Sequence, residues 1–281
     1  MQLIPIRKKY VYKKLERMDT SAGRVYKSDE LEPVPSVTTI LSATKDQSFL
    51  KEWEERVGKD EAERIRNDAA TVGTHMHNVV ERLLLNRPLP VPRSWLQIKG
   101  YRMGYALIEY FFPHVQEVWG AEVPLYYPGR YAGTTDCVGI YKGEASILDF
   151  KQTNRMKKRE WIDDYFIQLA AYAKAHNKVH GTDIRQGVIM MVAQDGQIQE
   201  FITCGREFDG YQDEWMRRVE QFEKREPDGV DTSDSQRPLG DVEAIAFAIL
   251  FFCGDSFLDL PNPAGRGLSH TGLVAMIIVP E

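Results

Sequence analysis

The sequence is poor in cysteine and has no long hydrophobic run. Its three cysteines, Cys137, Cys204 and Cys253, are far apart in a chain of 281 residues and form no C-x-x-C pair. This spacing predicts neither a disulfide nor a zinc or iron–sulfur framework, and it suits a reducing compartment. The N-terminal apolar stretch is too short for a signal peptide, and no segment reaches the roughly 18–20 apolar residues of a membrane span. We therefore expect a soluble, intracellular and cytoplasmic protein with no membrane partner.

Positive charge is not in excess, and a nucleotide-binding loop is missing. The 36 lysines and arginines are outnumbered by 41 aspartates and glutamates, which gives a formal net charge of −5. This average does not exclude a nucleic-acid partner, because a binding site needs only a local basic surface. No G-x-x-x-x-G-K-[ST] motif occurs, so an ATP-driven motor is not expected, and any helicase would be a separate partner.

Length and composition favour one large α/β domain or two small ones, because 43% hydrophobic residues can fill a sizeable core. Residues 1–35 are predicted to form an irregular or hairpin-forming arm, and residues 36–226 the main domain. Within the main domain, periodicity predicts helices, three strands, a helix, two strands and a last helix. Residues 227–281 form a tail that combines a linker-like segment with a nine-residue apolar run, to which we assign no function.

The most informative stretch is G-R-Y-A-G-T-T-D-C-V-G-I-Y-K-G-E-A-S-I-L-D-F-K-Q, residues 129–152, which predicts two strands joined by a tight turn. Asp136 and Asp149 can lie side by side on these strands, and Lys151 shares a face with Asp149. Two close carboxylates repel each other unless a cation lies between them, and such oxygen ligands suit Mg²⁺ or Mn²⁺. A lysine beside the ion suits phosphodiester hydrolysis. An ordinary exposed Asp–Lys pair on a strand is the alternative.

Four motifs resemble those of the RecB-like branch of the PD-(D/E)XK nuclease superfamily. They are G-T-H-M-H-N-V-V-E, G-T-T-D-C-V-G-I-Y, I-L-D-F-K-Q-T and Q-L-A-A-Y, in the order and spacing of that branch. The likeness covers residues 23–226 and is to the group of mitochondrial and bacteriophage exonucleases within the branch. It implies a restriction-endonuclease-like α/β core, with a mixed central β-sheet flanked by helices, and an N-terminal helical arch within residues 36–112.

The resemblance also implies a metal site. By the motif match, Asp136, Asp149, the backbone carbonyl of Phe150 and the imidazole of His77 would bind the catalytic Mg²⁺ or Mn²⁺. Glu81, one helical turn after His77, would be a supporting residue.

Further roles follow from the same match. Lys151 would position the attacking water, Gln168 would hold Lys151 or the scissile phosphate, and Tyr172 would contact substrate or brace its helix. Gln168 and Tyr172 are four residues apart and share one helix face, although an ordinary half-buried helix has the same pattern. His75 competes with His77, because residues two apart on a helix point about 200° from each other. The position within the motif favours His77.

Two basic segments are candidate DNA contacts. The run after Lys151 would hold the DNA backbone, with a solvated loop as the alternative; it comprises Arg155, Lys157, Lys158 and Arg159. The N-terminal arm interleaves cations with tyrosines, which suits stacking on unpaired bases but is equally a strand pattern; it comprises Arg7, Lys8, Lys9, Tyr10, Tyr12, Lys13, Lys14 and Arg17. Thr38 and Thr39 could offer hydroxyls to phosphate or cap a helix.

These patterns together predict a metal-dependent DNA exonuclease that digests single strands from a free end, in replication, recombination or repair. The group it resembles places it in a bacterial or phage-infected cell, with a helicase or replication partner. A structure-specific endonuclease with the same site, or a catalytically inactive DNA-binding module on the same fold, are the alternatives. No cysteine precedes Cys137, so the four-cysteine iron–sulfur cluster of some members of the branch is not expected.

Overall fold

The structure, a computed structural model, describes residues 6–46 and 48–225, so the predicted tail 227–281 lies outside the described residues. The strands are β1 Glu16–Thr20, β2 Gly23–Ser28, β3 Leu31–Pro35, β4 Val115–Tyr127, β5 Tyr131–Tyr141, β6 Glu144–Thr153, β7 Gln186–Ala193 and β8 Ile198–Cys204. The helices are α1 Val37–Thr44, α2 Ser48–Val57, α3 Lys59–Leu84, α4 Trp95–Phe111, α5 Asp163–His180 and α6 Gly205–Glu223. Within the two described ranges, no helix is both long enough and apolar enough to cross a membrane.

The N-terminal segment is more regular than predicted. Strands β1, β2 and β3 form an antiparallel sheet of their own. Tyr26 and Val34 of this sheet are buried together with Ala132 of β5. The hydroxyl of Tyr26 also lies 3.3 Å from that of Thr134 in β5. The N-terminal sheet is therefore packed against the main domain, because its apolar face needs a partner to be buried.

A five-stranded mixed sheet forms the centre of the main domain, in the order β4-β5-β6-β7-β8. All neighbours are antiparallel except β6 and β7, which run parallel. Parallel neighbours need a long crossover connection, and α5 supplies it. Lys142 and Gly143, with φ angles of 50° and 89°, join β5 to β6, since a tight hairpin turn favours two residues with positive φ. The predicted mixed sheet flanked by helices is confirmed.

Helices cover both faces of this sheet, and two separate cores result. Helices α1, α5 and α6 pack on one face, around residues such as Ile147 and Phe166. Helices α3 and α4 pack on the other face, around residues such as Leu148 and Phe150. Because side chains alternate along β6, its odd-numbered residues face α5 and its even-numbered residues face α3 and α4. Asp149 and Lys151 are therefore on the α5 face.

A buried carboxylate ties the α1, α5 and α6 layer together. Asp164 of α5 is 5% exposed. It lies 2.5 Å from the Lys45 ammonium after α1 and 3.0 Å from the Arg218 guanidinium of α6. Because a buried charge is costly without partners, this arrangement favours one mutual placement of the three helices.

The helices within residues 36–112 differ in how they meet the sheet. Helices α1, α4 and the second half of α3 belong to the two main cores. Helix α2 and the first turns of α3 form a small cluster of their own around Trp53 and Ala62. Among the described side chains of these helices, only this α2–α3 portion lies outside the main cores, so a helical arch, which stays a prediction, would be confined to it.

Helix α4 approaches α3 closely because glycines face the contact. A Cβ on Gly100 would lie 2.5 Å from the carbonyl oxygen of Val72 and 2.8 Å from the Cβ of His75. A Cβ on Gly104 would lie 2.8 Å from the carbonyl oxygen of Met76. These distances leave no room for a side chain, so the two glycines set the spacing of the two helices.

We predict that Gly100→Ala destabilises the protein although alanine favours helix. The clash with a backbone oxygen should cost about 1–3 kcal/mol, which lowers Tm by about 2–4 °C for each kcal/mol. Gly210→Ala in α6 is the matched control, because nothing lies within 4 Å of its added Cβ. That control should gain about 0.5–1 kcal/mol. Thermal unfolding measures both, and a Tm for Gly100→Ala equal to or above wild type would contradict this account of the contact.

Candidate active site

A cleft opens where β5 and β6 stop pairing. Their ladder ends at the pair Cys137–Leu148, and Asp136 and Asp149 are the next residues on each strand. Beyond this point, the carboxylate of Asp136 accepts a hydrogen bond of 2.7 Å from the backbone N–H of Phe150. The cleft has a volume of about 790 Å³ and is bordered by α3, α5, β4 and the N-terminal sheet. We call this point of strand separation the fork. It brings polar side chains to the floor of the cleft, which the sheet supports.

One imidazole and two carboxylates converge on this floor. The Nδ1 atom of His77 lies 3.4 Å from Oδ2 of Asp136 and 3.8 Å from Oε1 of Glu122. One ligand atom from each of the three residues lies within 4.8 Å of the others. A donor set of one nitrogen and carboxylate oxygens fits Mg²⁺ or Mn²⁺.

Glu122 is the member of this group that sequence reasoning missed. It lies on β4 between residues paired with Cys137 and Thr135, and therefore opposite Asp136. Its φ of 51° is rare for a residue with a side chain. At this kink β4 changes sides, because Ala121 packs in the α3–α4 core whereas Val123 packs against the α5 core. Such strained residues concentrate at functional sites. Its only sequence signal is a charge within an apolar run.

The acidic groups of the floor lie close together and repel one another when they are ionised. Burial, followed by the charges of Asp136, Glu81 and Asp149, raises the pKa of Glu122 to about 9. Burial likewise raises the pKa of Asp149 to about 6, against the opposing effect of Lys151. The pKa of Asp136 is raised by burial as well. A bound cation would relieve this repulsion, so the electrostatics fit a metal site.

The imidazole of His77 is held in its neutral form. Burial, followed by the positive charge of Lys151, lowers the pKa of His77 to about 4. A neutral imidazole is the form that binds a metal ion. His77 therefore has the protonation state that its predicted role requires.

Asp149 and Lys151 form a close pair beside the three-residue group. The Nζ atom of Lys151 lies 2.5 Å from Oδ2 of Asp149. Lys151 also lies 5.0 Å from the centre of the Tyr165 ring, a cation–π arrangement. Asp149 is 3% exposed and does not belong to the group of His77, Glu122 and Asp136. Its role as a metal ligand stays a prediction.

Helix α5 presents three residues to the cleft on one face, namely Tyr165, Gln168 and Tyr172. The amide Nε2 of Gln168 donates a hydrogen bond of 3.1 Å to the hydroxyl of Tyr172. The amide oxygen Oε1 of Gln168 is buried without a hydrogen-bond partner among the described residues. Gly133 of β5 makes room for the Tyr172 ring, which would lie 2.8 Å from an added Cβ. The Gln168–Tyr172 pair is therefore held in place by packing and by its hydrogen bond. The Gln168 Oε1 atom remains as a buried acceptor beside the site.

The other residues of the predicted site divide between the cleft and the core. Glu81 borders the cleft and pairs with Arg87 at 3.2 Å. Phe150 borders it too, although its side chain is buried in the α3–α4 core, and the ligand role of its carbonyl stays a prediction. His75, the competing histidine, is half-buried and lies against Gly100 of α4. His77 is therefore the histidine that reaches the cleft.

Residues of the predicted basic run contact other residues of the fold. Lys157 is 8% exposed, and Lys158 lies 5.1 Å from the centre of the Trp161 ring. Arg159 pairs with Glu207 at 2.8 Å. Neither these three residues nor Arg155 borders the cleft. In the part of the chain that the structure describes, the lysines and arginines that border the cleft are instead Lys14, Arg17, Arg24 and Lys151.

No protein-family model matches the chain. The chain is 25% identical to the mitochondrial genome maintenance exonuclease 1 of Homo sapiens over 211 residues, which covers 68% of this chain. The Mus musculus protein of that name is also 25% identical, over 69% of the chain. These relatives are exonucleases by name. The chain spans 59% of the human and 60% of the mouse relative, and the likeness supports a relationship to nucleases.

A looser likeness is found among solved structures. A crystal structure of a provisionally assigned exonuclease from Eubacterium rectale overlays with a TM-score of 0.40 and 16% sequence identity. The overlay covers 63% of this chain and 79% of that one.

We predict that Glu122→Gln stabilises the metal-free protein at neutral and higher pH. The folded state keeps the Glu122 proton up to about pH 9, whereas the unfolded chain releases it near the ordinary value of 4.5. Stability therefore falls as pH rises through that window, and an amide removes the loss. In EDTA near pH 8, Tm of the variant should exceed that of wild type by about 2–4 °C, the effect of about 1 kcal/mol after solvent screening.

Added Mn²⁺ should then raise Tm of the Glu122→Gln variant less than that of wild type, because one ligand is lost. Glu109→Gln, which changes an exposed residue of α4, is the matched control and should resemble wild type in both media. Identical responses of Glu122→Gln and wild type would rule out Glu122 as a ligand.

Proposed function

We propose that this protein is a metal-dependent deoxyribonuclease that hydrolyses single-stranded DNA from a free end. The observation that carries the proposal is the fork between β5 and β6, where the group of His77, Glu122 and Asp136 meets the Asp149–Lys151 pair. The sequence similarity to exonucleases supports it. Replication, recombination or repair would supply such ends, with a helicase or replication protein as partner.

His77, Glu122 and Asp136 would hold the Mg²⁺ or Mn²⁺ ion, with Asp149 and the carbonyl of Phe150 as further ligands. The neutral imidazole and the mutually repelling carboxyl groups fit a divalent cation. When bound, such an ion acts as a Lewis acid on the phosphate oxygens and lowers the pKa of water.

Lys151 would act on the attacking water and on the charge that develops at phosphorus. An ammonium group has three N–H donors, and that of Lys151 forms an ion pair with Asp149 at 2.5 Å. Asp149 and the Tyr165 ring hold the ammonium at the cleft wall, so little reorganisation is needed when a phosphate arrives. Gln168 would use its unpartnered Oε1 to accept a hydrogen bond from Lys151 or from the water. Tyr172, bonded to Gln168, would fix the orientation of that amide.

We predict that Lys151→Ala lowers the cleavage rate by at least about 100-fold, the usual effect of losing one positioned donor. Affinity for single-stranded DNA in EDTA should remain near that of wild type, because one cation among several is removed. Lys158→Ala is the matched control, since that lysine lies outside the cleft, and it should cleave normally. Tm of each variant checks folding. Normal cleavage by a folded Lys151→Ala protein would refute the assignment.

The free-end requirement is tested with end-labelled linear single strands, the matching circle and a duplex, each with Mg²⁺ or Mn²⁺. Digestion of the linear strand alone, lost in Asp149→Ala, is the expected result, and the label position gives the polarity. Cutting of the circle would favour a structure-specific endonuclease instead. If no substrate is cut with either ion, the protein is a DNA-binding module that keeps the nuclease fold.

A further inference from the structure

We propose that Lys14 and Arg17 form a phosphate-binding rim, which holds the backbone of the DNA strand beside the site of hydrolysis. This inference rests on the proposed function, and it assigns to the N-terminal sheet a part in substrate binding. The rim residues lie in and just before β1, more than a hundred residues before Asp136 in the chain.

The position of these residues is the first observation. Lys14, Leu15 and Arg17 border the same cleft as His77 and Asp136. The sheet that carries them is anchored to β5, because its Tyr26 is buried there and bonds to Thr134 at 3.3 Å. A bridge between Ser36 and Ala132 adds a second attachment. The rim is therefore held at a defined place relative to the acidic floor.

The charge of the cleft is the second observation. Its floor carries Glu81, Asp136 and the adjacent Asp149, whose ionised carboxylates would repel a phosphodiester backbone. A metal ion offsets this repulsion only for the phosphate that it contacts. The neighbouring phosphates of the strand need cations as well, and rim cations that face the cleft can provide them.

The pairing of the N-terminal cations is the third observation. Four of the eight have acidic or aromatic partners outside the cleft; these pairs are Arg7–Glu117, Lys13–Glu30, Lys27–Glu16 and Lys9–Trp119. Lys14 is exposed, and no ion pair or hydrogen bond is found for its ammonium among the described residues. Arg17 is 42% exposed and meets Asp19 at 3.4 Å, a solvent-screened contact that a phosphate can share.

Arg24 differs from both rim residues, although it borders the cleft too. It is 8% exposed and bonds to Asp19 at 2.9 Å. Its backbone N–H donates a hydrogen bond to the hydroxyl of Thr39, and that hydroxyl donates one to the Arg24 carbonyl oxygen. The Thr39 hydroxyl therefore has its partners within the fold. We therefore assign Arg24 a structural role and leave it out of the rim.

Helix α3 also contributes to the cleft wall. Its small residues Ala69, Ala70 and Gly73 border the cleft, and the side chain of Gln152 lies over them, bonded to the Ala69 carbonyl oxygen. The rim cations therefore supply the attraction for a phosphate backbone. Contacts of this kind are independent of base sequence.

The test compares the full-length Lys14→Gln/Arg17→Gln variant with wild type in binding to a fluorescent single-stranded oligonucleotide. Titrations in EDTA prevent metal-dependent cleavage, and a series of salt concentrations gives the slope of log K against log salt. Loss of two phosphate contacts should weaken binding and reduce that slope by about 1.4, at about 0.7 per contact on single strands. The rise in Tm on adding Mn²⁺ should equal that of wild type, because the metal ligands are unchanged.

The matched control is Lys178→Gln/Arg206→Gln, which removes the same net charge, one lysine and one arginine, from exposed positions outside the cleft. The control should keep nearly the wild-type slope. Equal slopes for the two double variants would overturn the rim while leaving the proposed nuclease intact. Failure of wild type to bind single-stranded DNA at any salt concentration would overturn both.

Discussion

The crowding of carboxyl groups on the floor of one cleft is the constraint on which the rest of this structure depends. Glu122, Asp136 and Asp149 meet at the point where two strands separate, and burial raises the pKa of each carboxyl group. The protein offsets this charge only in part, through the Phe150 N–H and the Lys151 ammonium. The remaining imbalance is the electrostatic basis of the proposed divalent-cation site. The same carboxyl groups therefore lower the stability of the metal-free fold and provide ligands for the proposed metal ion.

The fold must hold these groups together against their repulsion, and it does so from three directions. The sheet fixes Asp136 and Asp149 through its ladders, and the positive φ of Glu122 turns a third carboxylate toward them. Helix α3 brings in His77, because the glycines of α4 let the two helices pack closely behind it. Helix α5 covers the other side. Packing energy in both cores outweighs the local cost of the charged floor.

Distance along the chain does not determine which cations border the cleft. Lys157 and Arg159 follow directly after the site in the chain, yet Lys157 is buried and Arg159 pairs with Glu207, both outside the cleft. Lys14 and Arg17 are far from the site in the chain, yet they border the cleft. The tertiary structure, and not proximity in the sequence, therefore sets the charge along the cleft.

The sequence by itself determined the features that depend on local periodicity. Alternation in strands placed Asp136, Asp149 and Lys151 on one face of a hairpin, and helical spacing joined Gln168 to Tyr172 and separated His77 from His75. The order of strands and helices followed from the same patterns. Only the tertiary structure decided that Glu122 joins the site, because its place depends on a backbone kink and on pairing between β4 and β5. Only the tertiary structure also decided where the N-terminal sheet lies. Its packing on β5 depends on contacts such as that between Tyr26 and Thr134, which are more than a hundred residues apart, and no local sequence pattern encodes such contacts.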